Sequence, residues 1–141
     1  MGKLLLMGLL VVNPVNDEEM MLGGIALGEP ETSLAQRLGP PIDREENDGD
    51  YLPLRLSYRG LVVQLDEQGV GGMISTDGRF CTPAGACPGM PYARVEAIYG
   101  AALVTETVNG ATVGYVHGDG CWLEFAQRAG RVSAIELACS P

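Results

Sequence analysis

Internal similarity is the tightest constraint on what this chain can fold into. Gly28-Glu29-Pro30, Leu34 and Leu38-Gly39-Pro40 return 61 residues later as Gly89-Met90-Pro91, Val95 and Tyr99-Gly100-Ala101. Further along, Leu61-Val62-Val63-Gln64-Leu65 with Gly69 and Ile74 is echoed by Cys121-Trp122-Leu123-Glu124-Phe125 with Gly130 and Ile135. Self-similarity at a fixed spacing marks a repeated supersecondary unit. The expected fold is therefore α+β: two repeated units, each a short helix followed by three or four antiparallel strands. The implied boundaries are an N-terminal apolar segment and linker over residues 1–22, a first unit over 23–80 and a second over 81–141.

Local patterns place the elements. Leu34 and Leu38 lie four apart after Thr32 and Ser33, and Gly39-Pro40-Pro41 prevents continuation, so Pro30 to Leu38 reads as a short helix. The polar run from Arg44 to Asp50 reads as a loop or exposed turn. Leu52 to Tyr58, Leu61 to Leu65 and Val70 to Ser75 read as strands. In the second unit, Val95 and Tyr99 before Gly100 predict a helix over Tyr92 to Tyr99. Leu103 to Val108 and Thr112 to Val116 flank Asn109-Gly110, a strong hairpin signal. Cys121 to Ala126 and Val132 to Ala138 form a last hairpin around Arg128-Ala129-Gly130.

A helix ending in Leu38-Gly39-Pro40-Pro41, then Tyr58, Leu61-Val62-Val63-Gln64-Leu65, a glycine turn and an apolar strand resembles the unit of the outer-membrane assembly lipoprotein (SmpA/OmlA) family. Two such units in tandem resemble the arrangement of the beta-lactamase inhibitor protein fold. The resemblance covers about residues 25 to 139 and implies small helices on one sheet face, with the other face or its loops free to bind protein. The lipidated cysteine of the lipoproteins has no counterpart, because no cysteine precedes Cys81.

The 141 residues carry a net charge of −9 with only nine Lys and Arg, which disfavours nucleic acid as a partner. Lys3 followed by Leu4 to Val12 resembles the start of a secretory signal and is too short to span a bilayer comfortably. An apolar strand or a misassigned start are the alternatives. Membrane contact would come only through this segment, if it stays uncleaved. Four cysteines in an exported chain read as two disulfides. Cys81 and Cys87 bracket a turn-rich loop, while Cys121 and Cys139 share one side of the last hairpin by strand parity, so the expected pairs are Cys81 with Cys87 and Cys121 with Cys139. A four-cysteine zinc site is the competing reading.

No catalytic set is evident. His117 is the sole histidine, no serine sits in a G-x-S-x-G elbow, and Asn47-Asp48-Gly49-Asp50 does not have EF-hand spacing although its oxygens would suit calcium. Gly69-Val70-Gly71-Gly72 lacks the lysine and following helix of a phosphate loop. The expectation is no enzyme and no cofactor. If Leu123 and Phe125 face the helices, Trp122 and Glu124 face away, with Glu136 on the neighbouring strand; an indole beside two carboxylates suits a protein-binding patch. The alternative is that Trp122 packs into the core between the units. Tyr115 and Tyr58 are further candidates for the patch. The sequence thus predicts a periplasmic or secreted protein that binds another protein as inhibitor, immunity factor or assembly accessory, against a membrane-tethered structural accessory or a hydrolase built on His117.

Overall fold

Alternation along the strands decides the architecture. The computed structural model describes residues 17–107, 110–117 and 120–141. In it β5 (Leu61–Asp66) buries Leu61, Val63 and Leu65 and leaves the residues between them half-buried. The period of two places one apolar row on a core face and a mixed row on the opposite face. The same holds for β9 (Cys121–Arg128), with Leu123 and Phe125 buried, and β10 (Arg131–Cys139), with Val132, Ile135 and Leu137 buried.

Eight strands form one antiparallel sheet. With β3 (Asp43–Glu46), β4 (Leu54–Tyr58), β6 (Gly69–Ser75), β7 (Leu103–Thr107) and β8 (Gly110–His117), the order is β3-β4-β5-β6-β10-β9-β8-β7. Two helices, α1 (Glu31–Leu38) and α2 (Tyr92–Tyr99), bury Leu34 and Val95 respectively in a single apolar cluster with Leu56, Met73, Leu123 and Ile135. Each ends at a glycine of positive φ, Gly39 and Gly100, which accepts a conformation most residues avoid. Neither is long and apolar enough to cross a membrane.

Two repeated helix-plus-strand units do not describe this molecule. The chain is mostly sheet, and α+β fits it only loosely. Its strands belong to one continuous sheet because β10 pairs with β6 through Ile135 to Ser75, Glu136 to Ile74 and Leu137 to Met73. That pairing uses backbone groups that would otherwise leave an open edge on each half, and it merges the apolar faces into one core. A separate two-stranded sheet, β1 (Met21–Leu22) with β2 (Ile25–Ala26), adds to this arrangement.

Two further expectations are corrected. The residues before 23 are not all linker: after a 3-10 turn at Asp17–Glu19, Met20 and Leu22 are buried in the core beside Ile25. The polar run Arg44 to Glu46 is strand, because β3 pairs with β4 and the exposed side chains of an edge strand can all be charged. The signal-like segment lies within residues 1–16, outside the described residues, as does Asn109 of the predicted hairpin turn.

Candidate functional site

Register brings the candidate residues together. On the face away from the helices, cross-strand partners run in one row through Ser57, Val62, Ile74, Glu136, Glu124 and Gly114. The neighbouring row holds Gln64 opposite Gly72, and Ala138 opposite Trp122. The floor is therefore made of small and apolar residues, with Glu136 and Glu124 facing one another at its centre. Trp122, Glu124 and Glu136 are each half-buried. Trp122 takes no part in the core cluster, which its strand neighbours Leu123 and Phe125 fill instead.

Burial pushes the Glu136 carboxyl above the ordinary carboxylate range, and the charge of Glu124 opposite adds to the effect. Like charges at directly opposed positions destabilise a sheet. No ion pair among the described residues involves either glutamate; the one on this side of the sheet joins Arg55 to Glu45 at 3.8 Å, toward the β3 edge.

The β3–β4 loop, residues 47–53, turns a flat face into a cleft. The Tyr51 hydroxyl donates to the Ser140 carbonyl at 3.4 Å. Leu52 lies over β6, so closely that a Cβ at Gly71 would sit 2.5 Å from its Cδ2. The space enclosed between Tyr51, Leu52, Gln64, Gly72, Glu136 and Ala138 is about 300 Å³. The glycine run from Gly69 to Gly72 forms an irregularity, since the register with β5 shifts between Gln64 and Leu65. Its consequence is different from a phosphate loop: it makes room for Leu52.

Tyr115 does not belong to this face. It is fully buried, its hydroxyl donates to the Gly100 carbonyl at 2.9 Å, and its ring packs 5.2 Å from that of Tyr99 and 6.0 Å from that of Phe125. Its parity on β8 matches Leu123 across the ladder, which places it under the helices. Tyr58 is also on the helix side, aligned with Leu61 and packed against the core. Both are corrections to the expected patch. His117 closes β8 opposite Cys121.

Both disulfides are present, Cys81 with Cys87 and Cys121 with Cys139. The second ties together the ends of β9 and β10, where the two cysteines are direct cross-strand partners. The first closes a loop that anchors the N-terminal turn: Tyr99 donates its hydroxyl to Glu19 at 2.6 Å and lies 2.6 Å from the Thr82 hydroxyl, while the Ala84 amide donates to Glu19 at 3.2 Å. Sequence reasoning missed Tyr51, Leu52 and Gln64. Only the apolar Tyr51-Leu52 pair, immediately after an acidic turn, could have signalled a loop with something to cover.

No protein-family model matches the chain, and no curated protein does. Among solved structures, it is similar to an extracellular protein containing a SCP domain from Bacillus anthracis str. Ames, with a TM-score of 0.59 and 10% sequence identity. That match covers 81% of this chain but 44% of the other, so the likeness concerns fold alone and less than half of that protein.

Proposed function

We propose that the protein is a non-enzymatic, exported protein that binds another protein through the helix-free face of its sheet, in the manner of an inhibitor, immunity factor or assembly accessory. The observation that carries this reading is Trp122 beside the opposed pair Glu124 and Glu136 on a floor of small residues. An aromatic anchor on a flat, partly desolvated surface is the usual centre of a protein interface. The two disulfides support a periplasmic or secreted location, because such bonds persist in oxidising compartments. The extracellular protein whose fold is similar supports it more weakly.

Capture from an envelope or culture-fluid extract tests the reading. The same partner should be retained by wild type and by a helix-side control such as Arg94→Gln, and lost by Trp122→Ala and by Glu136→Lys. Capture that is indifferent to all four proteins would remove the face from consideration. A membrane-tethered accessory is the second reading, favoured by Lys3 with Leu4 to Val12. The mature N-terminus, read by mass spectrometry, separates the two.

A further inference from the structure

We infer that a second recognition site lies on the helix side of the sheet, in the cleft between the C-terminal end of α1 and the β4–β5 turn, and that it takes a polypeptide segment presenting an acidic side chain beside an apolar one. The cleft measures about 250 Å³ and is lined by Pro40, Ile42, Tyr58, Arg59, Arg79 and Phe80. It shares no residue with the open-face cleft, so both surfaces can be occupied at once.

Its chemistry differs from that of the rest of the molecule. In a chain of net charge −9, two guanidinium groups meet here. Asp77 answers one of them: Arg79 donates to its carboxylate at 3.0 Å and to the Arg59 carbonyl at 2.8 Å, and rests over the Phe80 ring at 5.2 Å. Hydrogen bonds from Arg79 hold the Asp77 carboxyl below its ordinary range, and the Arg59 charge adds to this. Arg59 itself is exposed and takes part in no ion pair among the described residues. One positive charge is therefore left over at the rim.

The apolar wall is just as specific. Ile42 is 75% exposed, the most exposed large hydrophobic side chain among the described residues. A single exposed isoleucine is ordinary on a surface. Here it lines the same cleft as Arg59, which forms no ion pair among the described residues, and the combination matches an acidic residue with an apolar neighbour.

Tyr58 supplies the third element. Its hydroxyl is buried and has no hydrogen-bond partner among the described residues. An unsatisfied buried donor lowers stability; the Glu31 charge already acts on this hydroxyl, so an arriving carboxylate accepts from it only when Arg59 offsets that repulsion. Because the hydroxyl is shielded in the free protein, entry of the ligand involves a shift of this ring. The surrounding frame is preformed: the Thr76 amide donates to the Gly60 carbonyl at 2.9 Å, and Gly60, at φ 81°, leaves no room for a side chain against Asp77.

The test is an NMR titration of the full chain with an acetylated, amidated Leu-Glu-Leu-Glu-Leu peptide, with the Gln and Lys analogues beside it. Saturable shifts at Ile42, Arg59, Gly60 and Phe80 are expected for the Glu peptide, with none for the Lys analogue. Arg59→Gln should weaken binding about tenfold, the effect of losing one charged hydrogen-bond partner. Tyr58→Phe should raise the melting temperature of the free protein and yet weaken the peptide, a combination that a merely structural tyrosine would not give. Trp122→Ala should leave binding unchanged, which separates this site from the open face. Equal binding of the Glu and Gln peptides, shifts confined to other residues at millimolar peptide, or a Tyr58→Phe protein that binds as wild type would each overturn the inference.

Discussion

Glu136 and Glu124 are direct cross-strand partners on β10 and β9, in a row that otherwise holds the small and apolar residues Ser57, Val62, Ile74 and Gly114. Two carboxylates in this position oppose folding. Because the folded Glu136 carboxyl titrates above its unfolded value of 4.5, the native state holds the extra proton between the two values. This group's contribution therefore lowers stability as pH rises above about 4.5 and through the raised value. Glu136→Gln should remove that slope and stabilise the protein at neutral pH by about 0.2–1 kcal/mol, the range for cross-strand charge pairs. Urea unfolding of both proteins at several pH values checks the difference.

Tyr115 and Trp122 should separate stability from binding. Tyr115→Phe leaves the part-buried Gly100 carbonyl without its donor and should cost about 0.5–1.5 kcal/mol. Partner binding should survive it. Trp122→Ala should cost little stability, since the indole lies outside the core, while abolishing capture. Thermal melts read against the capture assay distinguish the two residues; reversed effects would place Trp122 in the core.

Gly69 and Gly85 both have positive φ, yet only Gly69 is crowded. A Cβ there would lie 2.5 Å from the Gly28 carbonyl oxygen, which as backbone cannot swing away, whereas nothing lies within 4 Å of one at Gly85. Gly69→Ala should be the more destabilising change by about 1–3 kcal/mol, with Gly85→Ala losing only the conformational term. Denaturant midpoints of the two variants measure this.

The disulfides should contribute unequally. Chain-entropy arguments give about 3 kcal/mol for Cys121 with Cys139, separated by 18 residues, and about 2 kcal/mol for Cys81 with Cys87, separated by six. Removing the smaller loop should also release the N-terminal turn, because Thr82 and Ala84 hold Tyr99 and Glu19. Faster amide exchange over residues 19–26 in Cys81→Ser/Cys87→Ser, but not in Cys121→Ser/Cys139→Ser, is the expected pattern.

What was legible in the sequence is what depends on near neighbours. Val95 and Tyr99, spaced four apart before Gly100, located α2 at Tyr92–Tyr99, and strand parity across the Ala129-Gly130 turn paired Cys121 with Cys139. Parity also put Trp122, Glu124 and Glu136 on one face. The β6–β10 pairing was not legible, because hydrogen bonds between distant strands leave no local pattern, and two repeated units were expected where one sheet forms. Tyr115 and Tyr58 went astray because an aromatic in a strand reads the same on either face until the helices are placed. The fold of Leu52 over Gly71 and the leftover charge of Arg59 depend on loops, whose paths composition does not encode.

Trp122, the sole tryptophan, reports directly on whether the helix-free face binds protein, as proposed. The decisive measurement is the affinity of a captured partner for wild type, Trp122→Ala and Glu124→Lys/Glu136→Lys, by calorimetry on proteins shown to be folded. Losses of about thirtyfold or more are predicted for both variants, as for central interface residues, with a shift in Trp122 emission when wild type binds. Unchanged affinity in both variants, with no change in emission, would contradict the account.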